Sequence, residues 1–180
     1  MEENIDKPTW EGGVNNRPDW DTFFMSIAFL IAQRSVDPRT VHGAVLVAED
    51  KRILSVGYNG PIRNSIDTNI PLYDKRKYMY VLHAEENLLL NYNGSKEDLK
   101  NSTLYVTGKL CHRCLRMVLQ KGIKNIVCGP IRSFCKDEED EEACANMVIG
   151  QNVNMREILD PDNVLKILNK TINYINYKLG

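Results

Sequence analysis

Histidine is scarce in this chain, with three in 180 residues, so one that falls beside carboxylates or thiols stands out from the background. Neither sign of charge predominates: 23 Lys and Arg meet 24 Asp and Glu, for a formal net charge of -1. That balance excludes a global pull toward nucleic acid or an anionic membrane, and any polyanion contact must be local. There is no run of about 18 apolar residues that could span a bilayer. The opening "MEENIDKPTWEGG" is too polar and acidic for a secretory signal, so a cytoplasmic location is expected. Repeats and low-complexity tracts are missing too, which argues against fibrous or solenoid architecture. Cysteine comes in an odd number, five, all in the second half, which suits metal or core roles in a reducing compartment better than a disulfide framework. With 43% hydrophobic and 26% charged residues, the composition fits one compact domain with a sizeable core.

Residues 1–17 read as a flexible arm, and 18–180 as a single domain. "RPDWDTFFMSIAFLIAQRS" has helix-start residues in Pro18 and Asp19, and it sets Phe24, Ala28 and Ile31 on one face. The apolar runs 44–47 and 53–56, separated by the polar "AEDKR", predict a β-hairpin. From Gly60 to Lys77 the chain lacks periodicity and reads as a long loop, of the kind that often lines a site. Helix "HAEENLLLNY", strand "STLYVTG", helix "CHRCLRMVLQKG" and strand "KNIVCG" follow. Strands alternating with helices of this length imply right-handed crossovers and a sheet with a parallel portion, hence a three-layer α/β domain. The acidic run 136–142 is expected to be a solvated loop. A C-terminal helix is expected over 161–178, capped by Asp160, with Leu165, Leu168, Ile172 and Ile175 at helical spacing.

Two short segments carry chemistry, "HAE" at 83–85 and "CHRC" at 111–114, each where a helix should start. Thiols on one helical turn, with a histidine from a neighbouring helix start, can supply three ligands to a Zn2+ and leave the fourth position open. Glu85, two residues past that histidine, is then placed to move protons. Cys-x-x-Cys alone is equally compatible with a redox pair, half of a structural zinc site or two core thiols. The separation of His83 from Cys111 accommodates a helix, a turn and a strand, which brings both helix starts to one edge of the sheet. Competing plain roles exist for the neighbours. Glu86 suits a helix-start acid, Cys128 a core position, His112 an orientation away from a metal, and Asn59 a turn residue. Cys135 and Cys144 flank the acidic run and are candidates for a second metal.

The joint pattern matches the zinc deaminase signature of His-x-Glu followed by a Cys-x-x-Cys pair. Together with "AQRSVDPRTVHGAVLV", "ILSVGYNG", "KYMYVLHAEENLLL" and "LYVTGKLCHRCLRMVLQKGIKNIV", it resembles the deoxycytidylate (dCMP) deaminase family over roughly Ser26 to Gly129. The resemblance implies a three-layer α/β/α cytidine deaminase-like fold with a central mixed sheet. It implies Zn2+ on His83, Cys111 and Cys114, with Glu85 as proton shuttle, and hydrolytic deamination of dCMP to dUMP and ammonia, feeding thymidylate synthesis. Asn59 and Ala84 are expected to contact substrate, with Arg34 and Tyr80 as further contacts to phosphate and to base or sugar. A homo-oligomer, possibly a hexamer, is also implied, with a single nucleotide and no polynucleotide or membrane as partner. Three departures stand out. Leu110 replaces the usual proline. "HGA" replaces "VGA" and puts His42 on the strand lining the base pocket. "PIRNSID" replaces a glycine-rich stretch, which leaves regulation by dCTP and dTTP open. Another cytosine compound as substrate, or a non-catalytic protein with structural zinc, are the alternative readings.

Overall fold

The structure is a computed structural model, and it describes residues 17–66, 69–131, 138–158 and 160–179. Almost all of the expected N-terminal arm therefore lies outside the described residues. Helix α1 (Trp20–Ala32) starts at Asp19, whose carboxylate accepts a hydrogen bond from the Thr22 amide at 2.8 Å, a cap worth about 1 kcal/mol. Strands β1 (Gly43–Val47) and β2 (Ile53–Tyr58) form the expected hairpin, closed by Lys51 in a left-handed conformation at φ 73. Within the segment expected to be a loop, two very short strands, β3 (Gly60–Pro61) and β4 (Val81–Leu82), pair with each other, and a 3-10 turn spans Lys75–Met79. Helix α2 (Ala84–Asn91), strand β5 (Thr103–Gly108), helix α3 (His112–Gln120) and strand β6 (Asn125–Ile131) then alternate.

The five-stranded sheet has the order β2-β1-β5-β6-β7, the last being β7 (Asn154–Glu157). β1 is antiparallel to β2 and β5, while β5, β6 and β7 run parallel, so the sheet is mixed. Alternation along the strands builds the layers. Ala44, Leu46, Leu104, Val106, Ile126 and Cys128 face α2 and α3, whereas Val45, Val47, Tyr105 and Val127 face α1 and α5 (Pro161–Leu179). This is the three-layer α/β/α arrangement with a central mixed sheet. No helix among the described residues is long and apolar enough to cross a membrane.

One expectation needs correction. The acidic run 136–142 is not a loop where it is described: Glu138–Val148 is helix α4, packed on α3. The physical reason is that four acids, Glu138 to Glu141, occupy its first turn, where carboxylates stabilise the positive end of the helix dipole. Asp140 also meets the ring of His112. Strand β7 was not expected either, because "NMRE" is exposed along its length and lacks an apolar pattern.

Candidate active site

Strand direction gathers the site. Because β1 is antiparallel to both neighbours, its start lies beside the ends of β2 and β5, with Gly43 opposite Tyr58 and Ala44 opposite Val106. His42, Asn59 and the Thr107–Cys111 segment therefore share one edge of the sheet. The Asn59 side chain ties that edge together: its Oδ1 accepts from the His42 amide at 2.7 Å and its Nδ2 donates to the Thr40 carbonyl at 3.0 Å. Thr107 Oγ1 accepts from the Gly43 amide at 3.1 Å and lies 3.1 Å from His42 Nδ1.

Two helix starts point into this edge. Helix α2 is held against β2 by Ser55 Oγ donating to the Leu88 carbonyl at 2.7 Å and by Asn87 Nδ2 donating to the Tyr58 carbonyl at 3.0 Å. Gly57 makes the approach possible, since a Cβ there would collide with the backbone of Ala84 and Leu88. His83 precedes the helix in an extended conformation, and Glu86 accepts its amide at 2.8 Å, which fixes the first turn. Glu86 thus does what a helix-start acid should. Cys111 occupies the corresponding position at the start of α3, and Cys114 lies on that helix's first turn.

His83, Cys111 and Cys114 form a tight group of possible metal ligands, with His83 Nδ1 at 3.5 Å from Cys111 Sγ and 3.4 Å from Cys114 Sγ. A tetrahedral Zn2+ with bonds of about 2.3 Å to sulfur and about 2.0 Å to nitrogen requires N···S edges of about 3.5 Å. The donor types and their spacing fit such an ion. Among the described residues this is the one such group. Hydrogen bonding from Cys114, opposed by burial and reinforced by His83, pulls Cys111 down to about 3, so it is a thiolate, the form that binds metal. Cys114 is pushed up because it supplies its proton to Cys111 and is buried. The bond to Cys111 raises His83. Cys128 is a core residue of β6, and burial pushes it up to about 12. Cys144 is half-buried and directs its thiol toward the Leu110 carbonyl, while Cys135 lies outside the described residues.

Glu85 is 5% exposed, and burial pushes its carboxyl up to about 7 against the opposing pull of His83. A carboxyl balanced near neutrality can both accept and return a proton. It lines a cleft at this edge of the sheet. His42, Asn59, His83, Ala84 and Cys111 line the same cleft. Burial, with the charge of His83 added, lowers His42 to about 4, so its ring is neutral at pH 7.

Two expected contacts are elsewhere. Arg34 lines a separate hollow with Tyr58, Ile62 and Arg63. Tyr80 is 45% exposed, and it is Tyr78 that lines the cleft. In the 3-10 turn residues three apart eclipse, so side chains two apart point in different directions. Sequence reasoning also missed Asp37 and Lys109, both on the cleft wall. The Asp37 carboxylate receives the ammonium of Lys77 at 2.5 Å and the amides of Arg39 and Thr40. Its signal was faint, an Asp-Pro turn pair without periodicity.

A three-layer α/β domain with a His-Cys-Cys group and a buried carboxyl at two converging helix starts defines a class of metal-site proteins. Residues 18–130 match the family described as the cytidine and deoxycytidylate deaminase zinc-binding region, and the chain belongs to that family. It is similar to the deoxycytidylate deaminase of Homo sapiens, 36% identical over 73% of this chain and 75% of that protein. It is equally similar to that of Pongo abelii, 36% identical over 61% of this chain; the match spans 64% of the length of that relative. Among solved structures, the apo dCMP deaminase of cyanophage S-TIM5 superposes with a TM-score of 0.59 at 26% identity, over 79% of this chain and 99% of that one.

Proposed function

We propose that the protein is a zinc-dependent hydrolase that converts dCMP to dUMP and ammonia. The observation that carries this reading is the group His83, Cys111 and Cys114 with the buried Glu85 carboxyl beside it on the same cleft. The deoxycytidylate deaminases to which the chain is similar support the choice of nucleotide. Bound at those three donors, Zn2+ supplies a Lewis acid that makes hydroxide available near neutral pH. Glu85 would take a proton from the attacking water and deliver it to the cytosine ring nitrogen as the C4–O bond forms, then take the second proton from the new C4 hydroxyl and deliver it to the amine, so that the C4–N bond breaks, the carbonyl forms and ammonia leaves. The positive ends of α2 and α3 favour the Cys111 thiolate and negative charge at that point. Asn59, His42 and Ala84 would border the base and sugar, with Asn59 holding the β1 and β2 ends in place. Arg34 and Tyr80, off the cleft, are weaker contacts. Because Cys111 and Cys114 must stay reduced, a reducing compartment such as the cytoplasm suits the protein. A homo-oligomer is a reading favoured by the apolar side chains that α1 and α5 leave in solvent, among them Trp20, Leu30, Ile172 and Leu179.

The test is ammonia release from dCMP by the wild type and by Glu85→Gln, with zinc measured in both. Loss of turnover by roughly two to four orders of magnitude with zinc retained is expected; undiminished turnover removes Glu85 from the reaction. Running dCMP, dCTP, deoxycytidine and 5-substituted dCMP side by side decides which cytosine compound is used.

A further inference from the structure

We propose that Lys109 receives the 5′-phosphate of the nucleotide and that Glu157 holds its ammonium until substrate arrives; this rests on the nucleotide reading given above. A nucleoside monophosphate brings about two negative charges to the cleft, and a cation must meet them. Arg34, the residue the sequence pointed to, lines a different hollow. Lys77 is committed to Asp37. Among the described residues of the cleft wall, Lys109 is the one lysine or arginine, while Asp37 and Glu85 are the acids.

Position favours the assignment. Lys109 follows the last residue of β5 and stands two residues before Cys111, so its backbone is fixed relative to the metal-ligand group. The reacting carbon must lie at that group, and the sugar and phosphate must then extend toward the open mouth. Lys109 is where cleft and solvent meet: its side chain is 62% exposed and its Nζ is 2.7 Å from a Glu157 carboxylate that is 61% exposed. An ion pair so exposed contributes little stability and opens readily. A phosphate offers three acceptor oxygens and more charge than a carboxylate, and the four-carbon stem lets the ammonium swing to it.

The experiment compares kcat/KM for dCMP and deoxycytidine in the wild type, Lys109→Ala, Lys109→Arg and Glu157→Gln, with dUMP and deoxyuridine binding followed by calorimetry. For Lys109→Ala, the dCMP-to-deoxycytidine ratio should fall by roughly ten- to hundredfold, mainly through KM. Lys109→Arg should recover most of it, and Glu157→Gln should lower KM for dCMP. An unchanged ratio in Lys109→Ala, or equal losses on both substrates, overturns the proposal. Should the wild type deaminate neither compound, a selective loss of dUMP over deoxyuridine binding in Lys109→Ala keeps Lys109 in its role while the deaminase reading falls. Absence of that selectivity removes Lys109 as well.

Discussion

Replacing Lys77 with Met strips the Asp37 carboxylate of its ammonium inside the protein. The two groups are 2.5 Å apart and each side chain is 3% exposed, so water cannot step in. Removing one partner of such a buried pair costs about 3–5 kcal/mol. Asp37 keeps the amides of Arg39 and Thr40, at 2.9 and 3.1 Å, which puts the loss at the lower end, about 3 kcal/mol. For a chain of 180 residues, at about 2–4 °C per kcal/mol, Tm should drop by about 6–12 °C. Function should suffer as well, because Asp37 and Tyr78, the neighbour of Lys77, both line the cleft. Urea unfolding by circular dichroism at constant zinc gives the free energy. The double variant Asp37→Asn with Lys77→Met, which leaves no buried charge, should regain at least half of the loss. If Lys77→Met falls within about 1 kcal/mol of the wild type, as an exposed pair would, the loop from Lys75 to Leu82 is not anchored by this contact and the reasoning fails.

The same carboxylate predicts acid sensitivity. Burial opposes the ionisation of Asp37, but the hydrogen bond from Lys77 and the two amides outweigh it and hold the group below its ordinary 3.8. Its stabilising contribution is therefore complete above that value and is lost as the pH falls through the lower native one. Between pH 7 and pH 3 the wild type should lose more stability than Asp37→Asn; equal losses would mean that other groups drive acid unfolding. Gly57→Ala places a methyl group against the backbone of Ala84 and Leu88. Because no flexible side chain can yield there, α2 should shift, with a loss of more than about 2 kcal/mol and reduced zinc retention on dialysis. Full zinc content at unchanged Tm would show that the α2 start is not set by that contact.

Periodicity exposed the parts of the fold in which burial repeats along the chain. The α1 face, the 44–47 and 53–56 hairpin, α2, β5, α3 and β6 all show it, and the alternation of Ala44 and Leu46 with Val45 and Val47 even assigns the two faces of the sheet. Elements with little burial stayed hidden. β7 is exposed throughout, and α4 has no fully buried residue, so neither leaves an apolar rhythm to read. The site divided in the same way. His83, Glu85, Cys111 and Cys114 are close in sequence to helix starts, and spacing along the chain sufficed to bring them together. Arg34 and Tyr80 depend on where a loop turns, and that is decided by long-range contacts such as Lys77 with Asp37, 40 residues apart.

Those long-range contacts have a further consequence for the cleft. His42, Asn59 and Asp37 on its wall are all buried, and Asn59 and Asp37 direct their side-chain groups at the backbone or at another element. Asn59 is bonded to the backbone of Thr40 and His42, Thr107 to Gly43, and Asp37 to Arg39 and Thr40. The stretch from Asp37 to Gly43 is thus held by Asn59, Thr107 and Lys77 before any ligand arrives, and little ordering entropy remains to oppose binding. The Glu85 carboxyl is as buried as theirs, and burial outweighs the opposing pull of its own backbone amide and of His83, which pushes it up to about 7. Packing of Leu88 and Leu89 in the core fixes the helix that carries it, so this buried ionisable group is held at the start of α2 beside His83, Cys111 and Cys114.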